Sequence, residues 1–87
     1  MLRIVRVANE ETVFRLIGRM DAENVAELQQ LFKAEAENQQ IVLDLKDLTL
    51  VDRDAVSFLE RCEALGIKLT NCPAYIREWV DQERSAN

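Results

Sequence analysis

The sequence predicts a single α/β domain in which a four-stranded mixed sheet carries three helices, in the order β-β-α-β-α-β-α. The chain has 87 residues, which is enough for one small hydrophobic core and too few for two, so residues 1–87 are expected to form one domain. Residues 41–45 form a dense apolar run without strict alternation, which is typical of an interior strand covered on both faces. Apolar residues recur at helical spacing after Asp21 and again after Asp52, which indicates two amphipathic helices.

The first half of the chain predicts a hairpin followed by a helix. Residues 2–7 and 12–17 are rich in β-branched and other apolar side chains, and the polar residues 8–11 between them favour a turn. Asp21 is a good N-cap for the helix that follows, which is expected to run to about residue 37. Its predicted buried face consists of Val25, Leu28, Leu31 and Phe32.

The second half of the chain predicts a repeated strand and helix pattern. Residues 41–45 are the predicted central strand, Asp52 caps the second helix and Gly66 ends it. Residues 67–70 predict a short strand, and Pro73 opens a last helix that runs to about residue 84. Helical connections make the last three strands parallel and the hairpin makes the first strand antiparallel. The predicted inward side chains of these two helices are Val56, Phe58, Leu59, Cys62, Leu65, Tyr75, Ile76, Trp79 and Val80.

Composition and charge exclude several classes of function. The net charge is −5, the pI is about 4.7, and the Lys and Arg residues form no basic stripe. We therefore expect no nucleic acid and no anionic membrane surface as partner, but a protein with a basic docking face. The absence of His excludes a Cys/His zinc site and His-based acid–base catalysis. No Ser or Cys has a recognisable base beside it, so the sequence predicts no enzyme, no catalytic residue, no metal and no cofactor.

The same sequence predicts a cytoplasmic location. No apolar run approaches the roughly 20 residues of a membrane span, so no direct membrane insertion is expected. The N-terminus lacks the long apolar segment and cleavage site of a secretory signal.

Three segments together resemble the STAS domain, a family shared by anti-sigma factor antagonists and sulfate transporters. Residues 18–22, Gly-Arg-Met-Asp-Ala, are similar to the family's G-R-L-D-A motif before its first helix. Residues 41–52 resemble the more specific pattern V-V-L-D-L-S-x-V-x-x-I-D, and residues 69–74 resemble the family's late strand and turn. In order and spacing, these segments cover nearly the whole chain.

The resemblance implies a STAS-like domain that acts as a non-enzymatic protein-interaction module in bacterial signal transduction. A member of the anti-sigma factor antagonist type would take part in transcription regulation by binding an anti-sigma factor related to serine kinases. The alternative is a soluble STAS subunit of an ABC-type lipid or anion transport complex, whose partner would be the transporter ATPase. The edge strand at residues 2–7 leaves both a homodimer and a monomer open.

The loop before the second helix departs from the family pattern. In phospho-regulated members, the aspartate matching Asp52 is followed by Ser, then Ser or Thr, then Gly, and the second hydroxyl residue is phosphorylated by a partner kinase. Here these positions are Arg53, Asp54 and Ala55. Phosphoserine carries about −1.5 to −2 charge, so Asp54 is either an incomplete mimic of that state or a surface residue without a switching role. Asp52 is either part of this partner-binding loop or only the N-cap of the helix.

Two hydroxyls and one thiol near the loop are further candidates. Thr49 and Ser57 could accept phosphate, although hydroxyls at such places often form only local hydrogen bonds. Cys72 lies at a helix N-terminus, where it is either a reactive thiol or a small, partly buried side chain.

Four aspartates raise the question of a metal. Asp44, Asp47, Asp52 and Asp54 would bind Mg²⁺ only if their carboxylates converged. The family pattern already accounts for Asp44 and Asp52 without a metal, so none is predicted. No phosphate-cradling sequence supports nucleotide binding either.

Overall fold

The computed structural model describes residues 1–35 and 37–86, and within them the element order is β-β-α-β-β-α-β-α. The strands are β1 (Leu2–Ala8), β2 (Thr12–Met20), β3 (Ile41–Asp44), β4 (Leu48–Val51) and β5 (Lys68–Thr70). The helices are α1 (Ala22–Lys33), α2 (Arg53–Ala64) and α3 (Ala74–Ala86).

The sheet is mixed, with strand order β1-β2-β3-β5, and β4 pairs with β2. β1 is antiparallel to β2, with Leu2 opposite Gly18 and Ala8 opposite Thr12. The first half of β2 pairs in parallel with β3, its last residues pair in parallel with β4, and β3 pairs in parallel with β5. The predicted α/β fold, with an antiparallel first strand and parallel strands joined by helices, is therefore confirmed.

The strand β4 is the difference from the predicted four-stranded sheet. It pairs with the end of β2 beyond a register shift between Gly18 and Arg19. Gly18 has a φ of 103°, and a Cβ at this position would lie 2.6 Å from the carbonyl oxygen of Met1. Because glycine adopts this backbone without strain and has no Cβ to block this approach, Gly18 permits the irregularity through which β2 gains a second parallel neighbour.

Helix α1 is one turn shorter than expected. It ends at Lys33 with Ala34 as its C-cap. Glu35 then turns toward the sheet, where its carboxylate accepts two hydrogen bonds of 2.9 Å from Arg6 and one of 3.2 Å from Thr12 Oγ1. These contacts with β1 and β2 take the chain off the helical path, so the predicted continuation of the helix by another turn is wrong.

One hydrophobic core lies between one face of the sheet and all three helices. Phe14, Phe32 and Phe58 form a chain of rings with centroid separations of 5.5 and 5.9 Å. The fully buried side chains of the core include Leu16, Met20, Leu28, Leu43, Leu45, Val56, Leu59, Ile76 and Val80.

Two of the predicted inward side chains are on the surface instead. Leu65 is 82% exposed because it is the C-cap of α2, where the backbone leaves the helix before Gly66. Tyr75 is 48% exposed because it lies on the first turn of α3 and reaches across to β4 rather than into the core. The remaining predicted residues of α3 pack inward, with Ile76 and Val80 buried and Trp79 partly buried against the core.

Candidate functional site

The start of α2 is set by Asp52, directly after β4. The backbone N–H of Asp52 donates to the Met20 carbonyl at 3.3 Å, which holds the loop against the end of β2. Its carboxylate accepts a 2.8 Å hydrogen bond from the backbone N–H of Ala55. Asp52 is therefore the N-cap of the helix, as the sequence predicts, and this bond satisfies one of the free N–H groups of the first turn.

The two residues after the cap point outward. Arg53 and Asp54 are exposed, and Asp54 is the acidic residue of the first turn of α2. Its negative charge lies at the positive end of the helix dipole, which stabilises both the charge and the helix. Unlike Arg53 and Asp54, Ala55 is completely buried in the core, so its side chain takes no part in the outer surface.

The two candidate hydroxyls are both engaged in hydrogen bonds. Thr49 is exposed, and its Oγ1 donates to the Gly18 carbonyl at 2.9 Å. Ser57 is partly buried, and its Oγ is 2.9 Å from Glu83 Oε1 of α3. Thr49 therefore lies beside the loop, whereas Ser57 belongs to the contact between α2 and α3.

A second helix N-terminus lies beside the first. Asp21 caps α1 by accepting from the Glu23 N–H at 3.1 Å, and the Asn24 side chain accepts from the Asp21 N–H at 3.0 Å. Since Met20 pairs with Val51 in neighbouring parallel strands, the two caps are brought together at the same edge of the sheet. A cleft of about 350 Å³ separates them, lined by Arg19, Met20, Asp21, Leu50, Val51 and Asp52.

Two residues outside the predicted partner-binding loop, Leu50 and Tyr75, complete this surface, although Tyr75 was predicted to pack inward. Leu50 is 57% exposed, and the Tyr75 hydroxyl donates to the Thr49 carbonyl, which fastens the start of α3 to β4. The signal for Tyr75 was its place just after Pro73, at the first turn of a helix, where an amphipathic ring can lie half out of the core. We name the exposed residues together the α2 N-terminal surface: Thr49, Leu50, Arg53, Asp54 and Tyr75.

The four aspartates do not form a common site. Asp44 Oδ1 accepts hydrogen bonds from the Lys46 backbone at 3.1 Å and from Asn71 Nδ2 at 3.2 Å, and its other oxygen is 3.7 Å from Arg15 Nε. Across residues 1–35 and 37–86, no group of three or more His, Cys, Asp or Glu side chains could hold a metal ion. The structure therefore explains Asp44 by protein contacts alone.

Neither cysteine has the surroundings of an activated thiol. Both are free. Burial raises the pKa of Cys62 to about 12 and also raises the pKa of Cys72, which is partly buried. A raised thiol pKa disfavours the nucleophilic thiolate, so Cys72 is better described as a packing residue.

Comparison with known families assigns the fold. The sequence model of the STAS domain family matches residues 3–70. The chain belongs to the STAS domain family. The match runs from β1 to the end of β5 and includes the first turns of α1 and α2, so the α2 N-terminal surface of this STAS domain, except Tyr75, lies inside it.

Solved structures agree with this fold. The STAS domain is similar to the anti-sigma factor antagonist SpoIIAA in its unphosphorylated form, with a TM-score of 0.60 and 22% identity over 90% of this chain and 79% of that chain. It is also similar to a protein of the DUF3478 family with a SpoIIAA-like fold from Shewanella loihica PV-4, with a TM-score of 0.56 and 15% identity over 99% of this chain and 77% of that chain. A comparison with curated proteins finds no significant match. In the described part of this STAS domain, no helix is both long and apolar enough to cross a bilayer.

Proposed function

We propose that this STAS domain is a non-enzymatic regulatory module of the anti-sigma factor antagonist type, which acts in the bacterial cytoplasm by binding a partner protein. The partner contacts the α2 N-terminal surface, and Asp54 supplies a fixed negative charge there. The observation that carries the proposal is that Asp54 is exposed on the first turn of α2. The resemblance of this loop to the family pattern matches Asp54 to the phosphoacceptor of phospho-regulated antagonists.

The charge of Asp54 reproduces only part of a phosphorylated state. A phosphoserine brings about −1.5 to −2 charge and three strong acceptor oxygens, whereas a carboxylate brings a single charge and two oxygens. The sign and the helix terminus are the same, so the direction of the electrostatic effect on a partner is the same. A partner that prefers the unphosphorylated antagonist should therefore bind this domain weakly.

The acidic residue at this position also favours a second function. A subunit that stays permanently assembled on an ABC transporter ATPase has no need of a reversible phosphoacceptor. The exposed Leu50 and Tyr75 beside Asp54 would suit such a stable interface, because apolar and aromatic side chains form the centres of lasting contacts.

The test begins with the partner. The tagged full chain is purified from its own cell under mild conditions, and its partners are identified by mass spectrometry and then produced in pure form. Binding is titrated calorimetrically for the wild type and for Asp54→Ser and Asp54→Ala, with Glu78→Gln as a control that removes an exposed carboxylate from α3.

The outcomes separate the two functions. We expect the partner to be an anti-sigma factor of the serine-kinase type. The Asp54 variants should bind it roughly tenfold more tightly, because the carboxylate that imitates the phosphorylated state has been removed, and Glu78→Gln should bind it as the wild type does. A transporter ATPase as partner would establish the alternative. Equal affinity of all variants for an anti-sigma kinase would show that Asp54 is no switch.

A further inference from the structure

Within residues 1–35 and 37–86, no helix covers one of the two faces of the sheet. The helices α1, α2 and α3 all contribute to the single core on the other face, and β2, β3, β4 and β5 pair in parallel. All-parallel sheets occur almost only where both faces are covered. This sheet is mixed, but every pairing except that of β1 with β2 is parallel, so its open face leaves mostly parallel strands without the second layer that such strands usually have.

Aliphatic side chains line the open face. Because side chains alternate along a strand, the residues between the core positions of each strand point to the outer side. Val42 lies between Ile41 and Leu43, which both pack on the core cluster, so it points to the outer side, where it is buried to within 4% exposure. Its neighbours in register are Val13 of β2 and Lys68 of β5. The aliphatic residues of the outer face are Val5, Val7, Val13, Ile17, Val42 and Leu50.

The same face is the positive side of an acidic protein. The net charge of the chain is −5, but the outward positions of the strands hold four cations and, among the described residues, a single carboxylate, Asp44, which pairs with Arg15 at 3.7 Å. Arg15 is also 3.8 Å from Asp47, in the turn between β3 and β4, so two carboxylates balance its charge. Arg3 and Lys68 are exposed and form no ion pair within residues 1–35 and 37–86. The four cations are Arg3, Arg15, Arg19 and Lys68.

We propose that the open face of the sheet is a second docking surface, occupied by an acidic amphipathic helix of a partner protein. The apolar side of the helix would contact the aliphatic residues of the open face. Its carboxylates would lie near Arg3 on the edge strand β1 and near Lys68 on the opposite edge strand β5. Such a helix supplies the second layer that parallel sheets ordinarily have. The open face shares only Leu50 with the α2 N-terminal surface, and this proposal does not depend on the function proposed above.

Charge argues against the two other occupants of such a face. A second copy docked face to face would bring the same cations together across a two-fold axis, which is repulsive. An anionic membrane would attract the four cations but repel the rest of a chain with a charge of −5. A helix with its own carboxylates matches both the aliphatic strip and the cations.

The proposal is tested by site-specific photo-cross-linking in the cell. A photoreactive benzoylphenylalanine replaces Val7 or Ile17 on the open face, and in a control it replaces Gln30 on the exposed side of α1. Cross-linked segments are identified by mass spectrometry. Each probe is combined with Arg3→Glu/Lys68→Glu, and separately with Lys33→Glu/Arg61→Glu, which changes the net charge equally on the helical side. Circular dichroism and thermal melts confirm that every variant is folded.

We expect the Val7 and Ile17 probes to cross-link a segment with apolar residues at helical spacing and several carboxylates. The yield should fall about tenfold with Arg3→Glu/Lys68→Glu, because attraction becomes repulsion at two contacts, and should not change with Lys33→Glu/Arg61→Glu or Asp54→Ala. Three cross-linking results would overturn the proposal. The probes could cross-link a second copy of the domain, they could cross-link a basic or non-helical segment, or their yields could be no higher than the yield at Gln30. Co-sedimentation of the unlabelled domain with phosphatidylglycerol vesicles, lost in Arg3→Glu/Lys68→Glu, would overturn it in favour of a lipid surface.

Discussion

At the scale of single residues, Gly18 carries the most structural constraint. Its φ is 103°, and a Cβ added there would lie 2.6 Å from the Met1 carbonyl oxygen, so any side chain is unfavourable at this position. We expect Gly18→Ala to lower the free energy of unfolding by about 1–3 kcal/mol, the range for a residue held in a strained backbone region.

Gly66 provides the matched control for Gly18. It has a similar φ of 93°, but a Cβ there would have no neighbour within 4 Å, so Gly66→Ala should show only the backbone cost, about 1 kcal/mol. Urea unfolding of the two variants measures the difference. Equal destabilisation would show that the close approach of Met1 contributes nothing.

The structural roles of Asp52 and Asp54 were predictable from the sequence, whereas the functional role of Asp54 was not. The cap role of Asp52 follows from an acidic residue before an apolar run at helical spacing, and the 2.8 Å bond to the Ala55 N–H confirms it. The outward direction of Asp54 also follows from its place in the first turn. Whether Asp54 acts on a partner depends on a second protein, and that information is not contained in local sequence.

At the scale of the elements, the contact of α2 with α3 depends on an ionic cluster around Glu63. The Glu63 carboxylate accepts hydrogen bonds from Arg77 at 2.8 and 2.7 Å and from Arg84. Hydrogen bonds from Arg77 are the main cause that lowers the pKa of Glu63 to about 2, with Arg84 adding to the effect and desolvation opposing it. Since an unfolded Glu has a pKa of about 4.3, this cluster stabilises the fold fully above that pH and loses its contribution as the pH falls toward 2.

The variant Glu63→Gln tests this contribution. At pH 7 it should be less stable than the wild type by roughly 1 kcal/mol, a modest value because the cluster is partly exposed. The wild type should lose more stability than Glu63→Gln between pH 5 and 2.5, as measured by urea unfolding. The pKa of Glu35 is also lowered by Arg6. Since Glu35 is present in both proteins, its contribution to the pH dependence of stability cancels in the comparison. Glu78→Gln, on the exposed side of α3, should keep the pH dependence of the wild type. If Glu63→Gln lost as much stability as the wild type between pH 5 and 2.5, the proposed role of the cluster would be contradicted.

The prediction of helices and strands succeeded for long segments with a regular apolar pattern. It failed for a short strand that is stabilised by pairing with a segment distant in sequence. Both amphipathic helices after Asp21 and Asp52 were predicted from their spacing, and the hairpin from its polar turn. The strand β4 has only four residues and is stabilised by pairing with the end of β2 beyond a register shift. Short apolar runs do not distinguish a strand from a loop, so neither β4 nor the contact of Tyr75 with its backbone was predictable from local pattern.

At the scale of the whole molecule, the single core makes Cys62 a reporter of global unfolding. Its side chain is 3% exposed within a cluster to which all three helices contribute, and burial raises its pKa to about 12. A thiol reagent such as dithionitrobenzoate therefore reacts with Cys62 only after the domain opens. If the core has no independent part, the opening that exposes this thiol should be the complete unfolding reaction.

The measurement uses Cys72→Ala, so that Cys62 is the only thiol. The ratio of its labelling rate to that of the unfolded chain gives an opening free energy, which should equal the value from urea unfolding of the same protein. Adding Gly18→Ala, which changes β2 rather than α2, should lower both free energies by the same amount. An opening free energy well below the urea value, unchanged by Gly18→Ala, would instead mean that the end of α2 opens on its own while the sheet stays folded.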